Sequence, residues 1–323
     1  MRTPSRASEP AHERPLVRVA AVDCGTNSVR LLVADVDGGS KTDLHREMRV
    51  VRLGQGVDRT GELAPEAIER TRVALVDYAR TCRALGVEVT RMVATSATRD
   101  ARNRSDFTAM VLAALAAPPE VVTGEEEAAL SFDGATRDLD PTDGPFLVMD
   151  IGGGSTELVL GTGSVQAACS VDLGCVRLTE RHLADDPPTA PQIAAAEADI
   201  DAALTVVRQA VPVGKARTAI GLAGSVTTVA ALALELRAYD AGRIHLSRVA
   251  SAEVAAVSER LLAMTRAERA ALPVMHPGRV DVIGAGALIL AVFVERLGLA
   301  EVLVSEADIL DGIAWSAAVR GSA

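Results

Sequence analysis

The alternation of apolar and polar positions divides the chain into short strands and longer helices. Residues 17–36 (VRVAAVDCGTNSVRLLVADV) and 147–160 (LVMDIGGGSTELVL) each hold two apolar runs joined by a glycine-containing polar segment, which predicts two β-hairpins. Helices are predicted over 65–86, 105–116, 191–210, 251–265, 280–297 and 308–319, and strands over 87–99, where the strand runs into a polar turn, and over 120–123. This mixture of strands and helices predicts an α/β fold.

The two hairpins follow one pattern: an apolar run, Asp, any residue, Gly, two small residues, Ser and a second apolar run. Their turns expose backbone N–H groups that can bind an anion. A single glycine-rich turn is usually only a turn, whereas a repeated one predicts two related domains facing each other across a cleft. We place a disordered tail at 1–15 and the domains at 16–135 and 136–323, divided near the polar segment 130–143.

A third small-residue loop, GLAGS (221–225), precedes the helical run VTTVAALALELR. A strand that leads into a helix in this way directs the N–H groups of the helix N-terminus at an anion. Gly224 and Ser225 are therefore candidate phosphate-binding residues.

Composition and charge exclude several classes of protein. Hydrophobic residues make up 49% of the chain, which allows a large core, but no apolar run reaches the roughly 18 residues of a membrane helix. The first fifteen residues lack the apolar stretch of a secretory signal. A net charge of −10 and an aromatic content of 2% argue against nucleic-acid binding. Four cysteines without metal-ligand spacing are typical of structural thiols in a reducing cytoplasm.

Carboxylates beside the second glycine loop require an explanation, because they would repel a phosphate. Asp150 and Glu157 flank this loop. A Mg²⁺ ion, which prefers oxygen ligands, would turn that repulsion into attraction. Hydrolytic phosphoryl transfer also needs an oriented water. In TGEEEAAL (123–130), Glu125 and Glu126 are typical of a first helical turn that complements the helix dipole, and a carboxylate here could instead act as a general base.

Arginines supply the remaining positive charge for phosphate. The candidates are Arg30, Arg99, Arg177 and Arg279, since a guanidinium can make bidentate contacts to phosphate oxygens. A surface ion pair is the equally weighted alternative for each of them.

Seven segments, in order, resemble motifs of one family: DCGTNSVRLLVADV, TSATRDARN, TGEEEA, DIGGGSTELVL, DLGCVRL, GLAGSVTT and RVDVIGAGALIL. The chain is similar, over about residues 17–320, to the exopolyphosphatase / guanosine pentaphosphate phosphohydrolase (Ppx/GppA) family of the actin-like ATPase superfamily. The resemblance implies two ribonuclease-H-like domains flanking a cleft, with the last helix packing back on the first domain. It also implies a cytoplasmic enzyme of polyphosphate and stringent-response metabolism, and a homodimer.

By the same resemblance, Glu127 matches the residue that activates water, and Asp150 and Glu157 match residues linked to catalysis and to Mg²⁺, or Mn²⁺ in its place. The phosphate-binding positions are those of the two glycine loops and of two arginines, one after the first loop and one in HPGRVDV (276–282). They are Gly25, Thr26, Asn27, Ser28, Arg30, Gly152, Gly153, Gly154, Ser155 and Arg279, to which the residue patterns add Arg99, Gly224 and Ser225.

Three features depart from the family pattern. Thr26 replaces a serine of the first loop, which keeps a hydroxyl, and Asp311 stands where many members carry an arginine. The chain also ends at residue 323, without the C-terminal helical domains of long members. We therefore expect limited processivity on long polymers.

The sequence favours an exopolyphosphatase that releases terminal orthophosphate from inorganic polyphosphate. Conversion of pppGpp to ppGpp is the alternative within the family, and the residues do not choose between the two. A small-molecule kinase would need a clearer adenosine site than GLAGS offers. A non-catalytic sensor of polyphosphate or ppGpp would have no need of a water-activating glutamate.

Overall fold

The computed structural model describes residues 16–37 and 39–321, so the predicted disordered tail, 1–15, lies outside the described residues. The strands are β1 Val17–Cys24, β2 Ser28–Val36, β3 Lys41–Val50, β4 Val89–Ala94, β5 Pro119–Val121, β6 Phe146–Ile151, β7 Thr156–Gly161, β8 Val165–Val171, β9 Thr218–Leu222, β10 Arg248–Ala250 and β11 Glu301–Val304. The helices are α1 Val57–Thr60, α2 Pro65–Ala84, α3 Ser96–Asp100, α4 Arg104–Leu115, α5 Gly124–Thr136, α6 Cys175–His182, α7 Ala190–Ala210, α8 Ala223–Ala233, α9 Ala241–Ile244, α10 Ser251–Ala263, α11 Arg266–Ala270, α12 Ile283–Arg296 and α13 Ile309–Gly321. None of these helices combines the length and apolar character that crossing a membrane requires.

The first sheet has five strands in the order β3-β2-β1-β4-β5. The predicted hairpin is confirmed, since β1 and β2 pair antiparallel, while β1, β4 and β5 run parallel. Both faces of β1 are covered, which explains why its sequence is apolar almost throughout. Val22 packs with Tyr78 in the core under α2, and Val19 packs with Trp315 of α13 on the other face.

The second sheet has six strands in the order β10-β11-β9-β6-β7-β8. The second predicted hairpin, β6 with β7, is also antiparallel, and β9 lies parallel to β6 on its other side. Helix α5 covers one face, where Phe132 packs with Val148. Helices α7, α8 and α12 cover the other face and close the largest core of the molecule. The predicted α/β class is therefore confirmed.

Two helices connect the sheets. Helix α5 packs on β6, β7 and β8 and also on α13, and α13 in turn packs on β1, β2 and β4 of the first sheet. The division predicted at residues 135–136 falls in the last turn of α5.

One predicted element was wrong in part. The strand expected over 87–99 covers only Val89–Ala94, and the expected polar turn is the short helix α3. The neighbouring strand β1 ends at Cys24, opposite Ala94, so residues beyond Ala94 have no strand to pair with on that side. The N–H of Arg99 bonds instead to the Thr95 carbonyl at 3.0 Å. The helix predicted over 191–210 is α7, which begins one residue earlier, at Ala190.

Candidate active site

A polar cavity of about 100 Å³ lies where the two sheets face each other. Loops from both hairpins and the start of α8 form its walls, and Glu127 of α5 contributes from the side. Most of the predicted site residues line it: Gly25, Thr26, Asn27, Ser28, Arg30, Glu127, Asp150, Gly152, Gly153, Ser155, Gly224, Ser225 and Arg279.

The two hairpin loops have the same local structure and touch each other. The N–H of Gly25 bonds to the Ser28 carbonyl at 3.0 Å, and the N–H of Gly152 bonds to the Ser155 carbonyl at 3.0 Å. Thr26 packs so closely on Gly153 that a Cβ there would lie 2.9 Å from the Thr26 Cβ. The repeated sequence pattern therefore forms two matching loops that meet across the cleft.

The third wall is the N-terminus of α8, which is held in an uncommon backbone conformation. Ala223 has φ of 69°, a region that side-chain-bearing residues seldom occupy and that is frequent at functional sites. The Arg279 guanidinium lies directly over Gly224, and any Cβ at this position would overlap it. Its Nη1 donates to the Gly224 carbonyl at 3.2 Å and to Thr228 Oγ1 at 3.4 Å. Both acceptors are uncharged, so the positive charge of Arg279 stays available to an anion.

Arg30 is held differently, because two buried carboxylates neutralise it. Its Nε and Nη2 donate to Asp23 Oδ2 at 2.9 and 2.7 Å, and its Nη1 donates to Asp308. These contacts fix the guanidinium at the cavity wall and raise the pKa of Arg30 well above its usual value, against the opposing effect of burial.

Glu127 lies in the first turn of α5 with only 8% of its surface exposed. Its Oε2 accepts from Arg99 Nη1 at 3.0 Å, and the same Nη1 donates to the Val122 carbonyl at 3.0 Å. Burial raises the pKa of Glu127 to about 7, although Arg99 acts in the opposite direction. A carboxyl group with a pKa near neutrality can accept and release a proton at working pH, as a general base must.

Three further carboxylates gather behind and beside Glu127. Asp150 Oδ2 accepts from Ser131 Oγ at 2.6 Å, and burial raises the pKa of Asp150 to about 6. Glu157 Oε1 accepts from Ser170 Oγ at 2.7 Å, and its pKa is raised well above its usual value by burial and by neighbouring Glu127 and Asp150. Burial also raises the pKa of Asp23. The cluster favours the binding of positive charge.

This donor set fits a hard divalent cation that takes few protein ligands. Asp150 and Glu127 line the cavity with carboxylate oxygens, while Glu157 lies fully buried on β7, outside the lining. Within residues 16–37 and 39–321, no three His, Cys, Asp or Glu side chains form a group that could hold a metal ion by themselves. Mg²⁺ is commonly bound through one or two carboxylates together with water and phosphate oxygens. The residues present therefore fit Mg²⁺.

Three predicted site residues do not line the cavity. Arg99 contacts Glu127, Glu157 lies one layer deeper, and Gly154 packs against Thr26 and Ser96. Arg177, a candidate arginine from the sequence, points away from the cavity toward Asp58 and Asp100. Both belong to the first half of the molecule, which comprises the first sheet, β1–β5, and helices α1–α4.

Sequence reasoning did not select as site residues four side chains that hold the site together. Asp23 binds Arg30, and its place in the repeated pattern, equivalent to that of Asp150, was a usable signal. Ser131 and Ser170 bind the buried carboxylates, and Asp308 binds Arg30. The roles of Ser131, Ser170 and Asp308 have no local sequence signal, because each of these residues lies on a different element from its partner.

One protein family and several known proteins match this chain over most of its length. The model of the Ppx/GppA phosphatase family matches residues 32–320. Exopolyphosphatase 2 of Mycobacterium tuberculosis is 54% identical over 316 residues, which cover 94% of this chain and 99% of that protein. A solved exopolyphosphatase-like protein has 43% identity and a TM-score of 0.91, covering 94% and 98% of the two chains.

A family member from Aquifex aeolicus, also of known structure, has 30% identity and a TM-score of 0.80, covering 95% and 99%. These similarities confirm the predicted arrangement of two ribonuclease-H-like (actin-like ATPase) halves flanking a cleft. The match of the family model over most of the chain, together with the high identity to a full-length relative, means that the chain belongs to the Ppx/GppA phosphatase family.

Proposed function

We propose that this protein is a metal-dependent exopolyphosphatase that hydrolyses inorganic polyphosphate and releases terminal orthophosphate. The observation that carries the proposal is the position of Glu127. This buried carboxylate, with a pKa near 7, lines the same cavity as the two hairpin loops and Arg279. The proposal is supported by the similarity to Exopolyphosphatase 2 over nearly the whole chain.

Each group has a distinct task in hydrolysis. Backbone N–H groups of the loops at Gly25–Ser28 and Gly152–Ser155 hold the terminal phosphate, and Arg279 contributes positive charge to it. Glu127 accepts a proton from the attacking water, and Arg99 holds its carboxylate in place. Mg²⁺, held by Asp150 with Glu157 behind it, would neutralise charge on the phosphate oxygens.

The test is orthophosphate release with Mg²⁺ from polyphosphate of several chain lengths, by wild type and by Glu127→Gln. Loss of a general base should lower kcat by roughly 10²–10⁴-fold. Glu125→Gln is the matched control, because Glu125 lies in the same helical turn but is exposed. A wild type that releases no orthophosphate, or a Glu127→Gln variant as active as Glu125→Gln, would contradict the proposal.

A second cavity favours pppGpp as an alternative substrate. It has a volume of about 490 Å³, shares Arg30, Gly224 and Arg279 with the first cavity, and is lined in part by Met275 and Tyr239. A pocket of this size and mixed polarity suits a nucleoside attached to the phosphates. If pppGpp is a substrate, Tyr239→Ala should raise its KM about tenfold through lost contact area and leave polyphosphate hydrolysis unchanged. Equal effects on both substrates would remove this alternative.

A further inference from the structure

Helix α6 holds the second hairpin loop through its backbone. The N–H of Cys175 donates to the Gly152 carbonyl at 3.0 Å, and the N–H groups of Val176 and Arg177 donate to the Gly153 carbonyl at 2.9 and 3.2 Å. The first turn of α6 thus binds two carbonyl groups of the loop that faces the cavity. A displacement of α6 would displace this loop.

The same helix docks on the first half of the molecule through charged side chains. Arg177, Glu180 and Arg181 have the i, i+3, i+4 spacing that places side chains on one face of a helix. The Arg177 guanidinium donates to Asp58 Oδ1 at 2.7 Å, and Arg181 donates to both oxygens of Asp58 at 2.8 and 2.9 Å. Glu180 accepts from the N–H of Gly56 at 3.1 Å. Both Gly56 and Asp58 belong to the first half.

Arg177 makes a second contact to the first half, to Asp100 Oδ2 at 2.5 Å. Only 11% of its side chain is exposed, and its two terminal nitrogens are each bound to a different carboxylate. Its charge is therefore paired with two carboxylates of the first half. Asp100 ends α3, the helix whose Arg99 binds Glu127.

We propose that Arg177 is a positioning residue, which docks α6 on the first half and so fixes the second hairpin loop opposite the first. This inference rests on the proposed function for its kinetic consequence. Phosphoryl transfer needs both loops in place around one phosphate, and a misplacement of about 1 Å can cost about 10²-fold in rate. The contact of Thr26 with Gly153 shows how closely the two loops must fit.

A double-mutant cycle across the two halves tests the proposal. The variants are Arg177→Gln, Asp100→Asn and the double variant, with kcat and KM measured on polyphosphate. We expect Arg177→Gln to lower kcat/KM about tenfold or more, mainly through kcat, and Asp100→Asn to lower it less. The double variant should be no worse than Arg177→Gln, because both changes remove the same contact. Additive losses, or an unchanged kcat/KM in Arg177→Gln, would overturn the proposal.

Arg72→Gln is the control, because the carboxylate partner of Arg72 is Glu69, on its own helix. The radius of gyration from small-angle X-ray scattering provides a readout that does not need activity. Arg177→Gln should be more expanded than wild type and Arg72→Gln, and equal radii would count against docking. If the wild type is inactive, the proposed function is wrong. The scattering measurement alone then tests whether Arg177 docks α6 on the first half. If Arg177→Gln does not fold, the test uses Asp100→Asn instead. A kcat/KM of Asp100→Asn equal to that of wild type then overturns the proposal.

Discussion

At the scale of single residues, the site contains buried carboxyl groups whose ionisation is opposed by burial. Burial raises the pKa of Asp23, Asp150, Glu127 and Glu157, and the last three lie near enough to influence one another. Groups that interact this strongly titrate as a set. Such a set is useful for catalysis and unfavourable for stability, a frequent conflict at active sites.

Glu127→Gln should therefore stabilise the metal-free protein in a pH-dependent manner. The folded pKa of Glu127, about 7, lies above its ordinary value of 4.5, so its ionisation contributes no destabilisation below pH 4.5, where the group is neutral in both states. The cost grows as the pH rises from 4.5 to 7, where the unfolded chain is ionised and the folded protein still holds the proton, and above pH 7 it levels off at about 3 kcal/mol. With a chelator present, the Tm of Glu127→Gln should match wild type at pH 4 and exceed it by about 5 °C at pH 8. The exposed Glu125→Gln should follow wild type at both values, and a Glu127→Gln Tm that is no higher at pH 8 would count against this account.

Substitution of Asp150, the proposed metal ligand, should remove most of the stabilisation by Mg²⁺. An ion that binds only the folded state raises stability by about 2.7 kcal/mol at a concentration of 100 Kd. Adding Mg²⁺ to chelated wild type should raise Tm, and Asp150→Asn should lose most of that increase. The exposed Asp138→Asn is the control, and an unchanged Mg²⁺ response in Asp150→Asn would place the metal elsewhere.

At the scale of elements, helices α5 and α13 cross in backbone contact because a glycine stands on each. A Cβ on Gly134 would overlap the carbonyl oxygen of Asp308, and a Cβ on Gly312 would overlap that of Leu130. The crossing brings the start of α13, where Asp308 binds Arg30, next to the helix that carries Glu127. Packing of two helices thus positions two charged groups of the site.

Gly312→Ala should force these helices apart. Overpacking of this kind costs about 1–3 kcal/mol of unfolding free energy, which urea denaturation measures. Gly214→Ala is the matched control, because a Cβ there meets nothing within 4 Å and should change stability little. Equal stability of the two variants would show that the crossing tolerates a methyl group.

Local sequence pattern predicted the hairpins, most helices and the glycine loops, because each depends on neighbouring residues. It did not predict α3, which forms where strand pairing ends, nor the role of Arg177. It also missed Asp308, which lies 278 residues from its partner Arg30. Contacts between distant segments depend on the assembled fold, and the local pattern of one sequence does not indicate them. The family resemblance supplied Glu127, which helix pattern alone left among three adjacent glutamates.

At the scale of the whole molecule, the end of the chain returns to its beginning. Helix α13 follows the second sheet in sequence, yet it covers one face of the first sheet with Ile313 and Trp315 against Val17 and Val19. It also packs on α5, which lies on the second sheet. Neither half can lose α13 without exposing apolar surface, so the two halves are expected to unfold together.

The single tryptophan of the chain reports on this coupling. Trp315 is 4% exposed, and the guanidinium carbon of Arg137 lies 4.2 Å from the centroid of its ring. In urea, its fluorescence and the far-UV circular dichroism of all helices should change with one midpoint, because α13 is shared between the two halves. Arg137→Gln should shift both midpoints together by a small amount, since a cation–π contact whose guanidinium is exposed to solvent, as that of Arg137 is, contributes about 0.5–1 kcal/mol. A fluorescence transition that precedes the loss of helix would show that α13 detaches first and that the halves are stable without it.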